Sequence, residues 1–156
     1  IAELLKSLNK KIILMIEPGT SVVADAMFYT TKVRSIKLID NTKIATVMGS
    51  KFHLFGNAKS TNLPTKLFGT RRKKTNCKTI ITGFTCVEGD VLNNNFNYHL
   101  EEGDIIKIES IGSYSVVMKP PFIKPNIPVY FISKAGKISN IKRAETFHDI
   151  FRTYSF

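Results

Sequence analysis

Several features that mark particular protein classes are scarce in this chain of 156 residues. It has no tryptophan and no apolar run near the roughly 18 residues that a membrane-spanning helix needs. Two cysteines, Cys77 and Cys86, are too few for a disulfide framework at this length, so we expect a reducing compartment, the cytoplasm. The three histidines have no metal-ligand spacing with either cysteine, which argues against a zinc site.

Acidic residues are also few: 12 Asp and Glu face 23 Lys and Arg, for a net charge of +11. Such an excess attracts nucleic acid or steers an acidic small molecule. The densest basic run is Arg71-Arg72-Lys73-Lys74, but its neighbours are Gly, Thr and Asn, which is turn composition. No aromatic-rich strand or recognition helix accompanies the run. The pattern therefore favours a solvated loop over a nucleic-acid site.

The first 26 residues have the pattern of one α/β repeat. Leucines at helical spacing in 2–9 precede the apolar run Ile12–Ile16, which is typical of a strand buried on both faces. A turn at Glu17-Pro18-Gly19 then leads to a short helix with Thr20 or Ser21 as its cap. Because one repeat cannot form a sheet and the chain lacks an initiator methionine, we expect it to be a piece of a longer protein.

From residue 27 the pattern changes to short strands separated by turns, which predicts a closed or nearly closed β-barrel. An exposed loop is predicted at 93–97, and spacing at Arg143–Phe151 predicts an amphipathic terminal helix. The predicted strands are 28–39, 43–54, one short strand within 56–75, 79–86, 104–110, 113–118 and 129–133. The predicted fold class is mainly β with flanking α, divided into segments 1–26, 27–132 and 133–156, the last with its helix packing back.

The stretch Thr85-Cys86-Val87-Glu88-Gly89-Asp90 places a thiol and two carboxylates within five residues. It follows a β-rich run, and the Gly89-Asp90 step favours a tight turn because glycine adopts positive φ without steric cost. Strand ends that feed such turns present side chains where ligands meet a rigid scaffold. A hairpin corner with one buried cysteine fits the same residues.

Three motifs carry a family resemblance: Glu17-Pro18-Gly19, the Thr85–Asp90 stretch and Gly112-Ser113-Tyr114. In this order they resemble the C-terminal part of the fold-type III pyridoxal-phosphate decarboxylases. This is the ornithine, diaminopimelate and arginine decarboxylase group, whose β-barrel is shared with alanine racemase. The resemblance implies a β-barrel preceded by the last unit of a TIM-type α/β-barrel. No segment here matches the family's Schiff-base lysine motif, so this chain alone is expected to be catalytically incomplete.

The resemblance also implies residue roles around pyridoxal 5'-phosphate. Glu17 would pair with the pyridine nitrogen. Gly19 and Thr20 at a helix start, together with the Tyr114 hydroxyl, would hold the phosphate. Cys86 would return a proton to the carbon that loses CO2. From the residues alone, a glutamate that caps its helix and a core tyrosine remain open alternatives.

In the family the cysteine segment reaches the neighbouring subunit's site, which implies a homodimer, and Glu88 and Asp90 would hold the substrate's distal end. Two positions depart from the family: Thr20 replaces the usual arginine, and Val87 stands where many relatives have an acid. Lys119 is placed to meet a carboxylate instead. Val87 and Lys119 favour an amino-acid-derived substrate, such as a siderophore precursor, over plain lysine, ornithine or diaminopimelate, whereas Thr20 bears on how the phosphate is held.

Two alternatives remain open at this point. An amino-acid racemase of the same fold would use a catalytic tyrosine from the β-barrel, whereas the Cys86 segment favours decarboxylation. A non-enzymatic basic β-barrel that binds nucleic acid or protein is the other. In the leading interpretation the partners are the protein's own N-terminal α/β-barrel, a second copy and an amino-acid-like substrate, with no membrane involved.

Overall fold

A computed structural model describes residues 2–7, 12–54, 62–69 and 73–155 of the chain. Its helices are α1 (Ala2–Ser7), α2 (Thr20–Val23) and α3 (Phe147–Phe151), with single 3-10 turns at Ala24–Ala26, Lys51–His53 and Ser113–Ser115. Its strands are β1 (Tyr29–Ile39), β2 (Thr42–Val47), β3 (Thr65–Leu67), β4 (Lys74–Thr82), β5 (Val91–Tyr98), β6 (Ile105–Ile108), β7 (Val129–Ile132) and β8 (Ile138–Lys142).

Six strands form one sheet in the order β3-β6-β1-β2-β4-β5. All neighbours are antiparallel except β2 and β4, which run parallel. The β1–β2 hairpin turns at Asp40-Asn41, where both residues have the positive φ that tight two-residue hairpins require. The turn predicted at these two residues is therefore confirmed in its conformation.

Side chains join the two edge strands, β3 and β5, so that the sheet curls into a nearly closed barrel. The Asn62 amide nitrogen Nδ2 donates to Asn94 Oδ1 at 2.8 Å, and the Asn94 backbone N–H donates to Asn62 Oδ1 at 2.8 Å. Asn93 Nδ2 donates to Thr65 Oγ1 at 3.2 Å. These bonds satisfy edge groups that an open sheet would expose. The mainly β barrel predicted from the sequence is confirmed.

The barrel interior is filled by β-branched and small side chains from alternate strand positions. On β1 the buried residues are Tyr29, Thr31 and Val33, with exposed residues between them, as the period of a strand requires. Other members of this interior core include Ala45, Val47, Ile81, Ile106 and Ile108. All five of these residues are fully buried, so the core lies inside the sheet that carries the loops discussed below.

Strands β7 and β8 form a separate antiparallel sheet, followed by the short helix α3. Thr146 caps α3 in a capping box with Asp149, and Arg143 makes a bidentate ion pair with the same carboxylate. The helix is shorter than predicted because residues 143–146 form this cap. Strand β7 lies before the predicted boundary at residue 132, and its partner β8 lies after it. The division of the chain into three segments stays a prediction.

The strand predicted at Ile12–Ile16 is absent from the structure: residues 12–18 belong to no helix or strand. All five apolar side chains are exposed, with Ile13 at 86% and Met15 at 88%. A strand is stable only when neighbours accept its backbone hydrogen bonds, and no described strand lies beside this run. The expected α/β unit is therefore not formed within the described part of the chain.

Several local predictions in the barrel were wrong. The strand predicted at 43–54 ends at Val47, and Lys51–His53 form a 3-10 turn because Ser50 caps the chain there. Residues 93–97 are not a loop but part of β5, because the asparagines bond across the barrel edge and Phe96 enters the core. Residues 113–118 contain a 3-10 turn instead of a strand, since Gly112 and Ser113 turn the chain towards α2. Strand β4 ends at Thr82 and not at Cys86. Gly89 lies in a turn without positive φ.

No helix in the described ranges is long and apolar enough to cross a bilayer. The described half of the basic run, Lys73 and Lys74, is exposed, with Lys74 opening β4. Arg71 and Arg72 lie outside the described residues.

Replacing Ile106 by alanine should lower the free energy of unfolding by about 2–5 kcal/mol, because it leaves a cavity in the fully buried centre of the barrel. Urea unfolding of the protein measures the loss. Ile39→Ala is the matched control, since Ile39 is 51% exposed and should lose well under half as much. Equal losses in the two variants would contradict the position of the core.

Candidate functional site

The loop of residues 83–90, here called the Cys86 loop, is organised around a buried carboxylate. Asp90 is 2% exposed, and its two oxygens accept hydrogen bonds from four donors of its own chain. Thr85 contributes its backbone N–H at 3.1 Å and its hydroxyl at 2.7 Å. The Lys51 backbone N–H donates at 2.7 Å, and the Ser50 hydroxyl lies 3.0 Å from both oxygens. The carboxylate therefore ties the Cys86 loop to the turn after β2.

Two glycines leave the space that this arrangement needs. A Cβ at Gly83 would overlap the Asp90 carboxylate, and a Cβ at Gly49 would overlap the Tyr29 hydroxyl. The two segments also bond directly, since the Phe84 backbone N–H donates to the Gly49 carbonyl at 3.1 Å. Glycine is required at both positions because of close approach and not because of its backbone conformation.

A buried polar pair lies beneath the loop. The Tyr29 hydroxyl and His53 Nδ1 are 2.9 Å apart, and the His53 ring contacts the Phe84 ring at 5.7 Å between centroids. Burial raises the pKa of Tyr29 to about 12. Burial, followed by the positive charge of Lys119, lowers the pKa of His53 to about 4. Both groups are therefore neutral near pH 7, as a hydrogen-bonded pair in an apolar site should be.

The chemically active side chains of the Cys86 loop point away from this buried network. Cys86 is a free, exposed cysteine, and Glu88 is exposed as well. Val87 is 39% exposed, so an apolar group occupies the surface between them. The arrangement presents one thiol and one carboxylate on a loop whose base is rigidly bonded.

A second set of predicted site residues gathers where α2 meets the 3-10 turn at Ser113–Ser115. Gly112 lies so close to the Val23 carbonyl that a Cβ there would overlap it, and the Gly112 backbone N–H donates to the Ala24 carbonyl at 2.9 Å. The Ser110 hydroxyl donates to Asp25 at 2.8 Å. We call this contact the α2 junction. It brings the segment that follows Glu17 against the segment that carries Tyr114.

The predicted ligands at the α2 junction have these environments. Gly19 has φ +49° and is the N-cap of α2, so the side-chain cap predicted at Thr20 or Ser21 is not formed. The Ser21 hydroxyl donates to the Pro18 carbonyl at 2.6 Å instead. Glu17 is exposed, and Tyr114 is 42% exposed. Thr20 is exposed at the first helical position.

The structure places the predicted site residues in two groups. Glu17, Gly19, Thr20 and Tyr114 flank one junction, whereas Cys86, Glu88 and Asp90 belong to a separate loop. Their proposed roles stay predictions. The Asp90 carboxylate already accepts hydrogen bonds from four donors of its own chain. Among the described residues no cluster of three His, Cys, Asp or Glu side chains could hold a metal.

No spacing along the sequence marks Gly49, Ser50, Tyr29 or His53 as site residues. They meet the Cys86 loop only in the folded chain, where β1 pairs with β2 and β2 pairs with β4. A small Gly-Ser step directly after a buried strand was the one available signal, and it is common in ordinary turns.

Asp90→Asn should lower the free energy of unfolding by about 1–3 kcal/mol, because an amide nitrogen cannot accept from the buried donors. Urea unfolding gives the value. Glu88→Gln, at an exposed position of the same loop, should change it by no more than about 0.5 kcal/mol. An Asp90 variant as stable as the wild type would mean that the network does not stabilise the loop.

His53 should make the protein less stable as the pH falls from 6.5 through 4. Its folded pKa of about 4 lies below the ordinary 6.5, so the unfolded chain binds more protons in this window. The slope from this one group approaches about 1.4 kcal/mol per pH unit at most. His53→Gln should flatten the dependence of unfolding free energy on pH, whereas His148→Gln, at an exposed position, should not. Unchanged slopes in both variants would contradict a buried neutral His53.

A family model described as the C-terminal sheet domain of pyridoxal-dependent decarboxylases matches residues 20–112, which include the barrel strands through β6 and the Cys86 loop. A diaminopimelate decarboxylase of Methanothermobacter thermautotrophicus is 26% identical over 149 residues, covering 88% of this chain and 32% of the relative. The sequence resemblance is thereby confirmed at the level of the family.

Solved structures show the same fold. A diaminopimelate decarboxylase from Helicobacter pylori, complexed with L-lysine, superposes with a TM-score of 0.77 at 21% identity. It covers 96% of this chain, and the match covers 37% of the bacterial protein. A protein from Aquifex aeolicus has a TM-score of 0.82 at 23% identity, covering 97% of this chain and 38% of its own. The chain thus spans about a third of the length of the relatives it matches.

Strand order, the Cys86 loop and the match over residues 20–112 together lead to one conclusion: this chain belongs to the pyridoxal-dependent decarboxylase family, as its C-terminal sheet domain.

Proposed function

We propose that this chain is the β-barrel part of a pyridoxal-phosphate-dependent decarboxylase that acts on an amino acid or an amino-acid-derived substrate. The observation that carries the proposal is the α2 junction, within and beside the matched region. There the close approach of Gly112 to the Val23 carbonyl holds together two segments that the family resemblance assigns to the cofactor. The relatives named above supply the reaction class.

The residues at the α2 junction fit the cofactor's chemistry. Pyridoxal phosphate presents an anionic phosphate and a basic ring nitrogen. Ser21 and Val22 use their backbone N–H groups on the Pro18 and Gly19 carbonyls, whereas those of Gly19 and Thr20 meet no acceptor among the described residues. These two amides, the Thr20 hydroxyl and the Tyr114 hydroxyl are donors of the kind that bind phosphate. Thr20 supplies one neutral donor where the family usually has arginine.

When bound, the cofactor supplies an electron sink for the carbanion that forms as CO2 leaves the substrate. In the proposed mechanism Glu17 holds a proton at the ring nitrogen, because a carboxylate hydrogen-bonded to that nitrogen favours its charged form. Tyr114 and the Gly19-Thr20 amides fix the phosphate and so the orientation of the ring. The exposed carboxylate of Glu17 is available for this contact.

Cys86 supplies the final proton. Its S–H bond breaks and a C–H bond forms at the carbon that lost CO2, which leaves a thiolate that solvent reprotonates. The thiol is exposed on a loop whose base is held by Asp90, so Asp90 acts as a positioning residue for Cys86. Glu88 is proposed to contact the distal end of the substrate from the same loop.

The proposal includes two protein partners. Two apolar surfaces are exposed that a further part of the protein would cover. One is the run Ile12–Ile16, and the other is the β7–β8 sheet, whose Tyr130, Phe131 and Ile141 are each more than half exposed. We assign that part to an N-terminal α/β-barrel of the same protein. The Cys86 loop is assigned to the site of a second copy in a homodimer, and the location to the cytoplasm.

In the intact protein, Cys86→Ala should reduce formation of the decarboxylated product by about 10²–10⁴-fold, because a positioned proton donor is lost. The measurement compares CO2 release with product formation for a panel of amino acids. Cys77→Ala is the matched control, since Cys77 lies on β4 outside the loop and should leave both rates near wild type.

Three results would contradict the proposal. An intact protein that binds no pyridoxal phosphate, judged by its visible absorbance, lacks the required cofactor. Loss of optical rotation without CO2 release would identify a racemase. Equal effects of the two cysteine substitutions would remove Cys86 from the reaction.

A further inference from the structure

Residues 120–125, here called the proline strap, lie between the turn that carries Tyr114 and strand β7, and they belong to no helix or strand. Prolines at positions 120, 121 and 125 restrict φ along the strap and remove backbone donors. The proposed reaction gives these residues no role.

Two side chains of the proline strap contact the two segments that Asp90 ties together. The Phe122 ring packs on Phe52, in the turn after β2, at 5.1 Å between centroids. Lys124 Nζ lies 4.3 Å from the centroid of the Phe84 ring on the Cys86 loop, where an ammonium group is attracted to the face of the ring. The strap therefore forms a second connection between these segments, separate from the hydrogen bonds of the buried carboxylate.

Phe84 is the point at which these contacts reach the Cys86 loop. Its ring contacts the His53 ring at 5.7 Å between centroids, and its backbone N–H donates to the Gly49 carbonyl at 3.1 Å. Lys124 adds a contact from the strap to those from the barrel. Because Phe84 precedes Cys86 by only two residues, the position of its ring limits where the tip of the loop can lie.

The backbone of the strap is strained next to Lys124. Ile123 has φ +66°, a left-handed conformation that a β-branched residue rarely adopts. Its side chain is 51% exposed, so burial of that side chain does not account for the conformation. Strain of this kind persists where contacts on both sides hold the backbone, and it is found where a side chain has to be placed. Here those contacts belong to Phe122 and Lys124.

Lys124 makes no ion pair within the described ranges of the chain. Its side chain is exposed, and an exposed lysine ordinarily extends into water. The contact with Phe84 is therefore the interaction that directs its ammonium group towards the Cys86 loop.

We propose that Lys124 is a positioning residue for Cys86: its ammonium group holds the Phe84 ring, and through that ring it holds the tip of the loop where the thiol delivers its proton. This inference rests on the proposed function for what Cys86 does. Lys124 itself touches neither substrate nor cofactor in this arrangement. Its hold on the loop can be measured without any reaction.

The first experiment follows hydrogen exchange of residues 83–90 in the intact protein by mass spectrometry. The backbone N–H groups of Phe84 and Thr85 are hydrogen-bonded, so their exchange reports opening of the loop. Lys124→Met should raise the exchange rate about 2–5-fold, the range expected for an exposed cation–π contact. Lys124→Arg should keep the wild-type rate, because arginine also carries a cation to the ring.

A double-mutant cycle shows whether the effect passes through the Phe84 ring. Phe84→Leu keeps an apolar side chain without a ring face and should raise exchange at least as much as Lys124→Met. Adding Lys124→Met to Phe84→Leu should raise it no further, since both changes remove one contact. Lys107→Met is the control: it removes a cation 4.5 Å from the Phe28 ring centroid, on β6, which pairs with neither β2 nor β4, and should leave loop exchange unchanged.

The second experiment measures the amount of amine product formed per CO2 released, using the amino acid of the panel that releases CO2 fastest. A misplaced proton donor lowers this ratio, whereas a loss of folded enzyme lowers both amounts equally. Lys124→Met should lower the ratio by about half or more and leave KM near wild type, because small displacements of a reacting group are costly. Lys124→Arg should restore the ratio.

Three results would overturn the inference. Unchanged loop exchange in Lys124→Met, or an equal rise in Lys107→Met, would show that the ring contact does not hold the loop. Faster exchange with an unchanged ratio of amine to CO2 would mean that the strap stabilises the loop without placing the thiol. A higher KM at an unchanged ratio would indicate direct contact between Lys124 and the substrate. Thermal melting checks that each variant is folded.

Failure of the proposed function has a different signature. If no amino acid releases CO2 with the wild-type protein, the decarboxylase function fails, and with it the role of Cys86. The exchange measurement then still decides whether Lys124 holds the Cys86 loop.

Discussion

The Cys86 loop and the turn after β2 depend on one interaction, the set of hydrogen bonds that the buried Asp90 carboxylate accepts. A desolvated carboxylate is costly unless donors surround it. Here two loops supply those donors from the same end of the parallel pair β2–β4, because each loop follows the carboxyl end of its strand. Satisfying one group therefore fixes two segments at once. The exposed Cys86 and Glu88 lie on a loop that is rigid at its base and open at its tip, which suits a group that must meet a ligand at a defined position.

Close backbone approach is the second constraint. Gly49, Gly83 and Gly112 each face an atom that a side chain would displace: the Tyr29 hydroxyl, the Asp90 carboxylate and the Val23 carbonyl. None of the three needs positive φ. Their role is to let polar groups from distant segments come within hydrogen-bonding distance, so each glycine is part of a site even though it has no side chain.

One positive charge lies directly on the Cys86 loop, because Lys124 Nζ is 4.3 Å from the centroid of the Phe84 ring. The same ring contacts His53, which burial keeps neutral near pH 7. A neutral His53 avoids placing a second cation against Phe84. One of the basic residues behind the net charge of +11 therefore contacts the Cys86 loop.

By itself, the sequence determined the family and the β-barrel, because these depend on local features: turn residues, strand periodicity and three short motifs. The predictions for residues 93–97 and 113–118 were wrong. At these positions the backbone conformation is set by contacts with other segments and not by the local preferences of asparagine and serine. The Ile12–Ile16 run shows the same limit, because a strand exists only when neighbours complete its hydrogen bonds. Only the tertiary structure decided that Asp90, Ser50, Tyr29 and His53 share one buried network. Their meeting follows from the pairing of strands far apart in the chain, and no spacing along the sequence records that pairing.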